Sequence, residues 1–192
     1  IRTALADVTA EMSNWDSASE ISRVNAAAVG EAVTVSPALA QVLQSADQVH
    51  RASNGRFDVT VGPLIDTWGF GSGTAAPHMP SDADIAAALD RSGQSRAISL
   101  SGNTVTKTNE GAEIYLAAIG KGHGVDRVAD AVRSFGVTNF MVEIGGDLYA
   151  SGTNANGMPW QIGIESPLAG DRAVHSVAHV SGQGMATSGD YR

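Results

Sequence analysis

A lysine between glycines, Gly120-Lys121-Gly122, is the part of the sequence whose residue types point most directly to chemistry. Glycines at the alternate positions 120, 122 and 124 carry no side chains that would keep a ligand away from the backbone. The pattern predicts a turn that leads into a helix, whose first N–H groups lack partners and suit an anion such as phosphate. Lys121 adds a mobile positive charge. We therefore expect this turn to hold a phosphorylated small molecule.

Neither standard phosphate-binding motif matches this turn. A dinucleotide-binding fold requires G-x-G-x-x-G, whereas residues 120–124 read G-x-G-x-G. A phosphate-binding loop requires lysine followed by serine or threonine, and Lys121 is followed by Gly122. A tight connection between a strand and a helix explains the same glycines, so the turn alone does not identify a ligand.

Other histidines and carboxylates do not form a second reactive cluster in the sequence. His175 and His179 follow a strand-like alternation and would lie roughly 13 Å apart, too far to share a metal ion. Glu143 and Asp147 flank a glycine turn, but their spacing does not fix the distance that paired-carboxylate catalysis requires. The serine-hydrolase motif G-x-S-x-G does not occur. We expect packing or surface roles for the histidines.

The composition limits the class of protein. The 192 residues are 43% hydrophobic and 17% charged, which predicts one folded domain, with two small lobes as the alternative. The formal net charge of −8 argues against a partner such as nucleic acid, which needs a positive face. The sequence has no cysteine, which excludes disulfides and thiol chemistry. It has no apolar run of 18 residues for a membrane-spanning helix.

The elements that must position these residues alternate between helical and strand-like patterns. Helices are predicted over 1–12, 37–52, 82–89 and 124–135, with Ser36 and Ser81 as caps of the second and third. Strands are predicted over 57–61, 97–108 as a hairpin, 140–150 as a hairpin, 160–165 and 173–180, with Gly182-Gln-Gly184 closing another hairpin. Because hairpins join the strands, we predict an α+β fold with helices packed on a largely antiparallel or mixed sheet.

A series of short motifs, in this order, resembles the FAD:protein FMN transferase (ApbE) family over essentially the whole chain. The motifs are Ser13-x-Trp15, Ser19-Glu20-x-x-x-x-Asn25, Gly55-Arg-Phe-Asp-Val-Thr-Val-Gly-Pro-Leu-x-x-x-Trp-Gly-Phe-Gly71, Leu116-x-x-Ile-x-Lys-Gly-x-x-Val-Asp126, Gly145-Gly-Asp147, Trp160-x-Ile-Gly-Ile-x-x-Pro167 and Thr187-Ser-Gly-Asp-Tyr191. Residues 1–192 are thereby identified as part of an ApbE-like flavin transferase domain.

The resemblance implies a reaction. Members of this family bind FAD as substrate with Mg²⁺, split its pyrophosphate and join FMN to a threonine or serine of a target flavoprotein, with release of AMP. Hydrolysis of FAD to FMN and AMP is an alternative within the same fold, with water in place of the target hydroxyl. A flavin-binding protein without catalysis and an interaction domain that has lost its ligand are alternatives from other classes.

The resemblance also implies roles for individual residues, although it assigns no catalytic residue. Trp15 is similar in position to an aromatic that contacts the flavin nucleotide, and Lys121 to a further FAD contact near phosphate. The backbone carbonyl of Ala118 is similar in position to a metal ligand. Residues that resemble pocket walls are Gly145, Gly146, Thr187, Ser188 and Gly189. The triplet that resembles the lining of the FAD site is Arg56, Phe57 and Asp58.

Two replacements in one motif depart from the family pattern, and Ala117-Ala118 in place of Gly-Ala is the milder of them. Tyr115 stands where the family usually has an aspartate that contacts FAD, so a normally neutral phenol replaces an acid. This replacement favours a change in nucleotide affinity or geometry, and it is the feature that favours a flavin-binding protein without catalysis.

The family pattern also extends beyond this sequence at both ends. It begins with a Met-Gly-Thr segment and continues, after the last motif, with a His-x-x-Asp-Pro segment and an Asp/Thr pair of metal ligands. We therefore expect a missing C-terminal segment or a second polypeptide to complete the metal site. Family members are typically exported, so we expect a periplasmic protein, with a lipid anchor in the inner membrane as one form of that location.

Overall fold

A computed structural model describes residues 1–71, 76–168 and 173–189 in two compact units. The N-terminal unit comprises Ala6–Gly120, and the C-terminal unit comprises Lys121–Arg192 together with Ile1–Leu5. Both units combine helices with antiparallel sheets, which confirms the predicted α+β class. No helix in the described parts of the chain is long and apolar enough to cross a membrane.

The N-terminal unit contains short helices and a three-stranded antiparallel sheet of order β1-β3-β2. Its elements begin with α1 (Arg2–Met12), which starts in the other unit, and continue with α2 (Glu20–Ala26), β1 (Ala32–Thr34), α3 (Pro37–Ala52), α4 (Gly62–Thr67), α5 (Asp82–Arg91), α6 (Gln94–Ala97), β2 (Ile98–Ser101) and β3 (Thr104–Lys107). The hairpin predicted over 97–108 is confirmed, with Ser101 opposite Thr104 at the turn.

Two helix caps predicted from the sequence are confirmed. The Ser36 hydroxyl accepts a hydrogen bond from the Leu39 N–H at 3.1 Å and caps α3. Ser81 and Asp84 form a reciprocal capping box at the start of α5. Such caps satisfy N–H groups that have no partner within the helix, and each contributes about 1 kcal/mol.

The core of the N-terminal unit is built on one face of α3. Leu39 and Ala46 of this helix are fully buried, and so are Ile114 and Leu116, which lie just before the next helix. These residues belong to one apolar cluster, whose other buried members are Met12, Ile21, Val24, Val35, Ala40, Val42, Leu43, Val59 and Val105. The segment around residue 115 is therefore anchored in the core.

The C-terminal unit contains one long helix and two small antiparallel sheets, of order β4-β5-β8 and β6-β7. The elements are α7 (Ala117–Ser134), which starts in the other unit, β4 (Phe140–Ile144), β5 (Asp147–Ser151), β6 (Trp160–Glu165), β7 (Val174–Val180) and β8 (Gln183–Met185). Its buried cluster is small, since Leu148, Ala150 and Val180 are its buried members. The predicted strands at 140–150, 160–165 and 173–180 are confirmed.

Two predicted strand features are wrong. Residues 57–61 form a bent loop instead of a strand, because the Asp58 carboxylate accepts hydrogen bonds from the N–H and hydroxyl of Thr60, two residues on. Residues 182–184 do not close a hairpin with β7. The Gly182 N–H donates to the Ala150 carbonyl, and β8 pairs with β5.

The glycine-rich turn predicted at 120–124 is also wrong, because α7 already begins at Ala117. The Leu116 carbonyl accepts hydrogen bonds from the N–H groups of Ile119 at 3.0 Å and Gly120 at 2.7 Å, so the helix closes its first turn before the glycines. The predicted end is confirmed, since α7 stops at Ser134 and Gly136 has a left-handed φ of +78°.

Candidate functional site

The segment Glu113–Leu116 occupies the centre of the candidate site in the N-terminal unit. Its backbone is extended, and hydrogen bonds hold it from two sides. On one side, the Tyr115 N–H donates to the Val59 carbonyl at 2.7 Å, and the Gly62 N–H donates to the Glu113 carbonyl at 3.3 Å. The loop after Asp58 therefore lies directly beside Tyr115.

Two asparagine side chains hold the other side of the same segment. Asn25 of α2 accepts a hydrogen bond from the Ile114 N–H at 2.8 Å and donates to the Ile114 carbonyl at 2.9 Å. Asn14 donates to that carbonyl at 2.7 Å and accepts from the Leu116 N–H at 3.4 Å. Residues distant in sequence thus meet on both sides of Tyr115.

Trp15 directly follows Asn14 and lies in the same turn. Its side chain is 67% exposed, although indole is one of the largest apolar groups in proteins. The turn is held to α2, because the Ser13 carbonyl accepts a hydrogen bond at 2.7 Å from the hydroxyl of the buried Ser19. The structure therefore presents an exposed aromatic ring from a fixed backbone, as a stacking contact requires.

The three residues of the predicted triplet at 56–58 lie in three different environments. Arg56 is exposed, and no hydrogen bond or ion pair of its side chain joins it to another described residue. Phe57 is half-buried and packs against the core. Asp58 makes internal contacts: one carboxylate oxygen binds Thr60 at 2.6 and 2.7 Å, and the other accepts from the Gln94 N–H at 2.8 Å. Asp58 thus shapes the loop, and Arg56 is the member free to bind an anion.

Ala118, the predicted metal ligand, is the second residue of α7 and is exposed. In an α-helix the carbonyl of residue i accepts from the N–H of residue i+4, here Gly122, and keeps a second lone pair. A helical side chain covers the turn before its own Cα, so glycine at 122 leaves this carbonyl accessible. Ala118 can offer one oxygen to a cation.

Lys121 binds the protein itself in the C-terminal unit. Its ammonium donates a hydrogen bond to the Gly145 carbonyl at 3.0 Å and lies 3.5 Å from the Asp147 carboxylate. Its side chain is 44% exposed, so the charge is shared between this turn and solvent. The structure therefore gives Lys121 a role in holding the β4–β5 turn, and its predicted contact with a nucleotide stays a prediction.

The β4–β5 turn is fixed at each of its two glycines. Gly145 and Gly146 have left-handed φ values of +56° and +91°, as a two-residue hairpin turn requires. The Thr187 hydroxyl donates to the Gly146 carbonyl at 2.8 Å, and the Gly146 N–H donates to Glu143 at 2.6 Å. A Cβ at Gly146 would meet the Thr187 oxygen at 2.5 Å, so only glycine fits there.

These turn residues line a cavity of about 900 Å³ in the C-terminal unit. Glu165 and His175 add ionisable side chains to its lining. The members of the lining that the sequence singled out as pocket walls are Gly145, Gly146, Thr187, Ser188 and Gly189. They line this cavity, and their role as walls of a nucleotide pocket stays a prediction. Asp190 and Tyr191 of the same motif lie outside the described residues.

The described residues do not by themselves fit a metal site. Within 1–71, 76–168 and 173–189, no group of three His, Asp or Glu side chains is placed to hold a metal ion. The Ala118 carbonyl is the single oxygen that the predictions assign to a cation, and Mg²⁺ takes six oxygen ligands.

Glu113 and His123 are among the ionisable groups whose pKa values are shifted. Burial raises the pKa of the Glu113 carboxyl, and the charge of Asp66 and a hydrogen bond with it act in the same direction, against Lys107 and Arg91. Burial lowers the pKa of the His123 imidazole, and Arg127 adds to this. Glu113 is two residues before Tyr115, so its protonation changes the charge beside the candidate site.

Sequence reasoning did not assign the site residues Asn14 and Asn25. Asn25 ends the motif Ser19-Glu20-x-x-x-x-Asn25, but no spacing in the sequence predicts a contact with Ile114, which is 89 residues away. The feature of the sequence that could have indicated them is an amide side chain among apolar residues, because a buried amide needs hydrogen-bond partners.

Comparison with known proteins gives a consistent result. The family model for the ApbE family matches residues 1–192. An FAD:protein FMN transferase from Vibrio cholerae is 38% identical over 98% of this chain and 56% of its own length. One from Haemophilus influenzae is 39% identical over 100% of this chain and 57% of its own length.

Solved structures agree with this match. The flavin transferase ApbE from Vibrio cholerae superimposes with a TM-score of 0.92 at 36% identity, covering 100% of this chain and 62% of that one. The apo form of Pseudomonas stutzeri flavinyl transferase ApbE gives 0.88 at 32% identity, covering 99% and 59%. The chain therefore spans somewhat more than half the length of the curated relatives it matches.

Proposed function

Because this chain belongs to the ApbE family, we propose that the protein is an FAD:protein FMN transferase. The observation that carries the proposal, beside the relatives of that name, is that all the residues that the resemblance assigned to FAD except Lys121 lie in the N-terminal unit. Asn14, which precedes Trp15, bonds to the Ile114 carbonyl, and Val59, which follows Asp58, accepts from the Tyr115 N–H, so the backbone beside all three residues converges just before α7.

The proposed reaction transfers the FMN phosphoryl group from FAD to a hydroxyl of the target protein, with AMP as the leaving group. A threonine or serine hydroxyl of the target flavoprotein attacks the phosphorus of the FMN half of FAD. A P–O bond forms to that hydroxyl oxygen, and the P–O bond to the bridging oxygen of the pyrophosphate breaks. The electron pair leaves with AMP, and the hydroxyl proton goes to solvent or to a base.

The chain's residues would bind and orient the nucleotide. The exposed Trp15 ring offers an apolar face on which an aromatic ring can stack. The exposed Arg56 guanidinium can pair with a phosphate through two parallel hydrogen bonds. Tyr115 adds a phenol at a fixed backbone position, which can donate a hydrogen bond without bringing a negative charge near the pyrophosphate.

We include Mg²⁺ dependence and a periplasmic location in the proposal. A divalent ion would neutralise charge on the pyrophosphate, and the Ala118 carbonyl is the oxygen this chain would give it. The resemblance to a family of exported proteins supports the location, with an inner-membrane lipid anchor as one form of it.

The test is an incubation of the full-length protein with FAD, Mg²⁺ and an acceptor flavoprotein domain that carries the target threonine. We expect flavin fluorescence on the acceptor band after denaturing electrophoresis, one AMP per flavin attached, and no transfer to an acceptor in which alanine replaces that threonine. Free FMN with AMP but no labelled acceptor would identify a hydrolase and overturn the proposal. Bound FAD that is not cleaved would identify a carrier and overturn it as well.

A further inference from the structure

We propose that Asn25, assisted by Asn14, is a positioning residue that sets the orientation of Tyr115 and of the first turn of α7 toward the nucleotide. The inference rests on the proposed function, and the residues that carry it all belong to the N-terminal unit. Neither asparagine is assigned to contact FAD, so each acts through the backbone that it holds.

Asn25 takes the place of a neighbouring strand. Its side-chain amide accepts from the Ile114 N–H at 2.8 Å and donates to the Ile114 carbonyl at 2.9 Å. Two residues that exchange both bonds in this way form the closely bonded pair of an antiparallel ladder. Asn14 continues the pattern with bonds to the Ile114 carbonyl and the Leu116 N–H. The segment is therefore held as a strand whose neighbour on this side consists of two side chains.

The backbone groups of residues 113–116 bond alternately to the two sides of the segment. Glu113 and Tyr115 bond to the loop at 59–62, while Ile114 and Leu116 bond to the asparagines. The Ile114 and Leu116 side chains are 0% and 1% exposed, so both point into the core. Successive side chains of an extended segment point to opposite faces, and Tyr115 is therefore directed away from the core.

The same bonds reach the start of α7. The Leu116 carbonyl accepts the first hydrogen bonds of the helix from Ile119 and Gly120. Asn14 accepts a hydrogen bond from the Leu116 N–H. A change in the asparagine contacts therefore shifts the position of the first turn of α7 and of the Ala118 carbonyl. Apolar burial of Ile114 and Leu116 secures the fold, whereas the amides select one backbone position within it.

Asn25→Asp is the informative variant because it has nearly the same shape. A protonated aspartic acid can accept from the Ile114 N–H and donate to its carbonyl, as the amide does. The ionised form cannot donate and places a charged oxygen against the Ile114 carbonyl. The charged groups that face this position are the buried Lys107 ammonium, which donates to the Asn25 carbonyl, and the Glu113 carboxyl, on which Lys107 also acts. Lys107 favours the ionised acid, whereas burial and the Ile114 carbonyl favour the protonated acid, so pH controls whether the second bond forms.

We expect the affinity of full-length N25D for FAD and its kcat/KM for FMN transfer to fall about tenfold relative to wild type at pH 8, because the ionised carboxylate loses its bond to the Ile114 carbonyl and repels that oxygen, to which Asn14 still donates. At pH 5 the ratio to wild type should return to within about threefold. The melting temperature is measured at each pH, and assays run well below it, so that unfolding does not contribute.

Asn154→Asp is the matched control. Asn154 also accepts from backbone N–H groups and donates to a carbonyl, that of Pro159 at 3.2 Å, but it lies in the C-terminal unit. Its ratio to wild type should not depend on pH. Asn14→Asp is the second variant in case N25D does not fold, and the same loss and recovery is expected with a smaller amplitude.

The outcomes separate the two proposals. If N25D, or N14D in its place, matches wild type at both pH values while wild type transfers FMN, the positioning role is overturned and the proposed function stands. If wild type binds FAD without transferring FMN, and FAD affinity of N25D still changes with pH, the transferase is overturned and the positioning role stands. A wild type that does not bind FAD overturns both.

Discussion

At the scale of single residues, Arg56 is the member of the 56–58 triplet with a side chain free to bind an anion. We expect Arg56→Gln to lower kcat/KM for FAD about tenfold or more with little change in melting temperature, because a charge-assisted pair with phosphate contributes roughly 1.5–3 kcal/mol. Steady-state kinetics of FMN transfer measures the loss. Arg51→Gln is the control, since Arg51 is an exposed arginine paired with Asp47 on α3. Equal losses in both variants would contradict a specific role for Arg56.

Glu113 gives the molecule a pH-dependent stability. The pKa of Glu113 is higher in the folded protein than its ordinary value of 4.5, which the unfolded chain has. Between the unfolded and the folded pKa, the folded state therefore binds more protons than the unfolded state. The free energy of unfolding therefore falls as pH rises through that interval. Glu113→Gln stays neutral and can still donate to Asp66, so it should remove this fall.

Denaturant titrations from pH 4 to 8 measure the effect. At pH 7 we expect the Glu113→Gln variant to be more stable than wild type by about 1 kcal/mol or less, since Glu113 is only half-buried and Asp66 is exposed. Glu110→Gln, an exposed site on the same connection, should keep the wild-type profile. A Glu113→Gln variant that is less stable than wild type at pH 7 would show that the carboxylate stabilises the fold.

Sequence patterns name candidate residues, but they do not predict which other residues those side chains contact. Trp15 and Arg56 are exposed as ligand contacts need to be, but Asp58 and Lys121 already bind Thr60 and the Gly145 carbonyl. Whether a polar side chain has protein partners depends on residues up to 102 positions away, as for Asn14 and Leu116. Such contacts follow from tertiary packing, which local spacing does not encode.

At the scale of elements, packing against the described residues does not explain the glycines at 120 and 122 of α7. A Cβ at Gly120 or Gly122 would have no other atom within 4 Å, outside the helix's own nearby backbone. Glycine in a helix interior costs about 1 kcal/mol relative to alanine. The helix therefore carries a cost in stability that its own packing does not explain.

Gly122→Ala should raise stability by up to about 1 kcal/mol and weaken FAD binding, because the new methyl group covers the turn where the Ala118 carbonyl lies. Thermal unfolding and FAD titration measure the two effects. Ser134→Ala in the last turn of α7 is the control for a more stable helix, and it should leave FAD affinity unchanged. If Gly122→Ala stabilises the protein and binds FAD as wild type does, these glycines do not serve the nucleotide.

Element prediction succeeded where the local signals agreed. Serine followed by proline and a helical apolar stripe fixed both ends of α3, and Ser81 with Asp84 fixed the start of α5. It was wrong where a tertiary contact outweighed propensity. Glycines at 120–124 favour a turn, yet the Leu116 carbonyl, held by the asparagine-bonded segment, starts α7 before them.

At the scale of the whole molecule, the two units have cores of different size. Six residues of α3 are buried, whereas of the seven residues of β7 only Val180 is buried. Regions with few buried apolar contacts open locally at a lower free energy. We expect amides of β7 to exchange with solvent at least about tenfold faster than those in the middle of α3. Hydrogen exchange measured by mass spectrometry or NMR tests this, and equal protection in both elements would contradict it.

The α+β class and the antiparallel hairpins followed from the sequence because hairpin turns and strand alternation are local signals. The division into a unit at 6–120 and a unit at 121–192 with 1–5 did not, since it depends on where the chain returns after long intervals. The α-helix that carries Ala118 and Lys121 continues from one unit into the other, and no composition change marks that point.

The exposed ring of Trp15 also gives the protein an intrinsic optical signal. Trp160 donates its indole N–H to the Ser151 carbonyl, and Trp68, like Trp160, is half-buried, so Trp15 is the tryptophan most accessible to a quencher in water. A flavin ring stacked on it would accept its excitation energy. Nucleotide binding to the N-terminal unit can thus be followed as a loss of tryptophan emission, without a label.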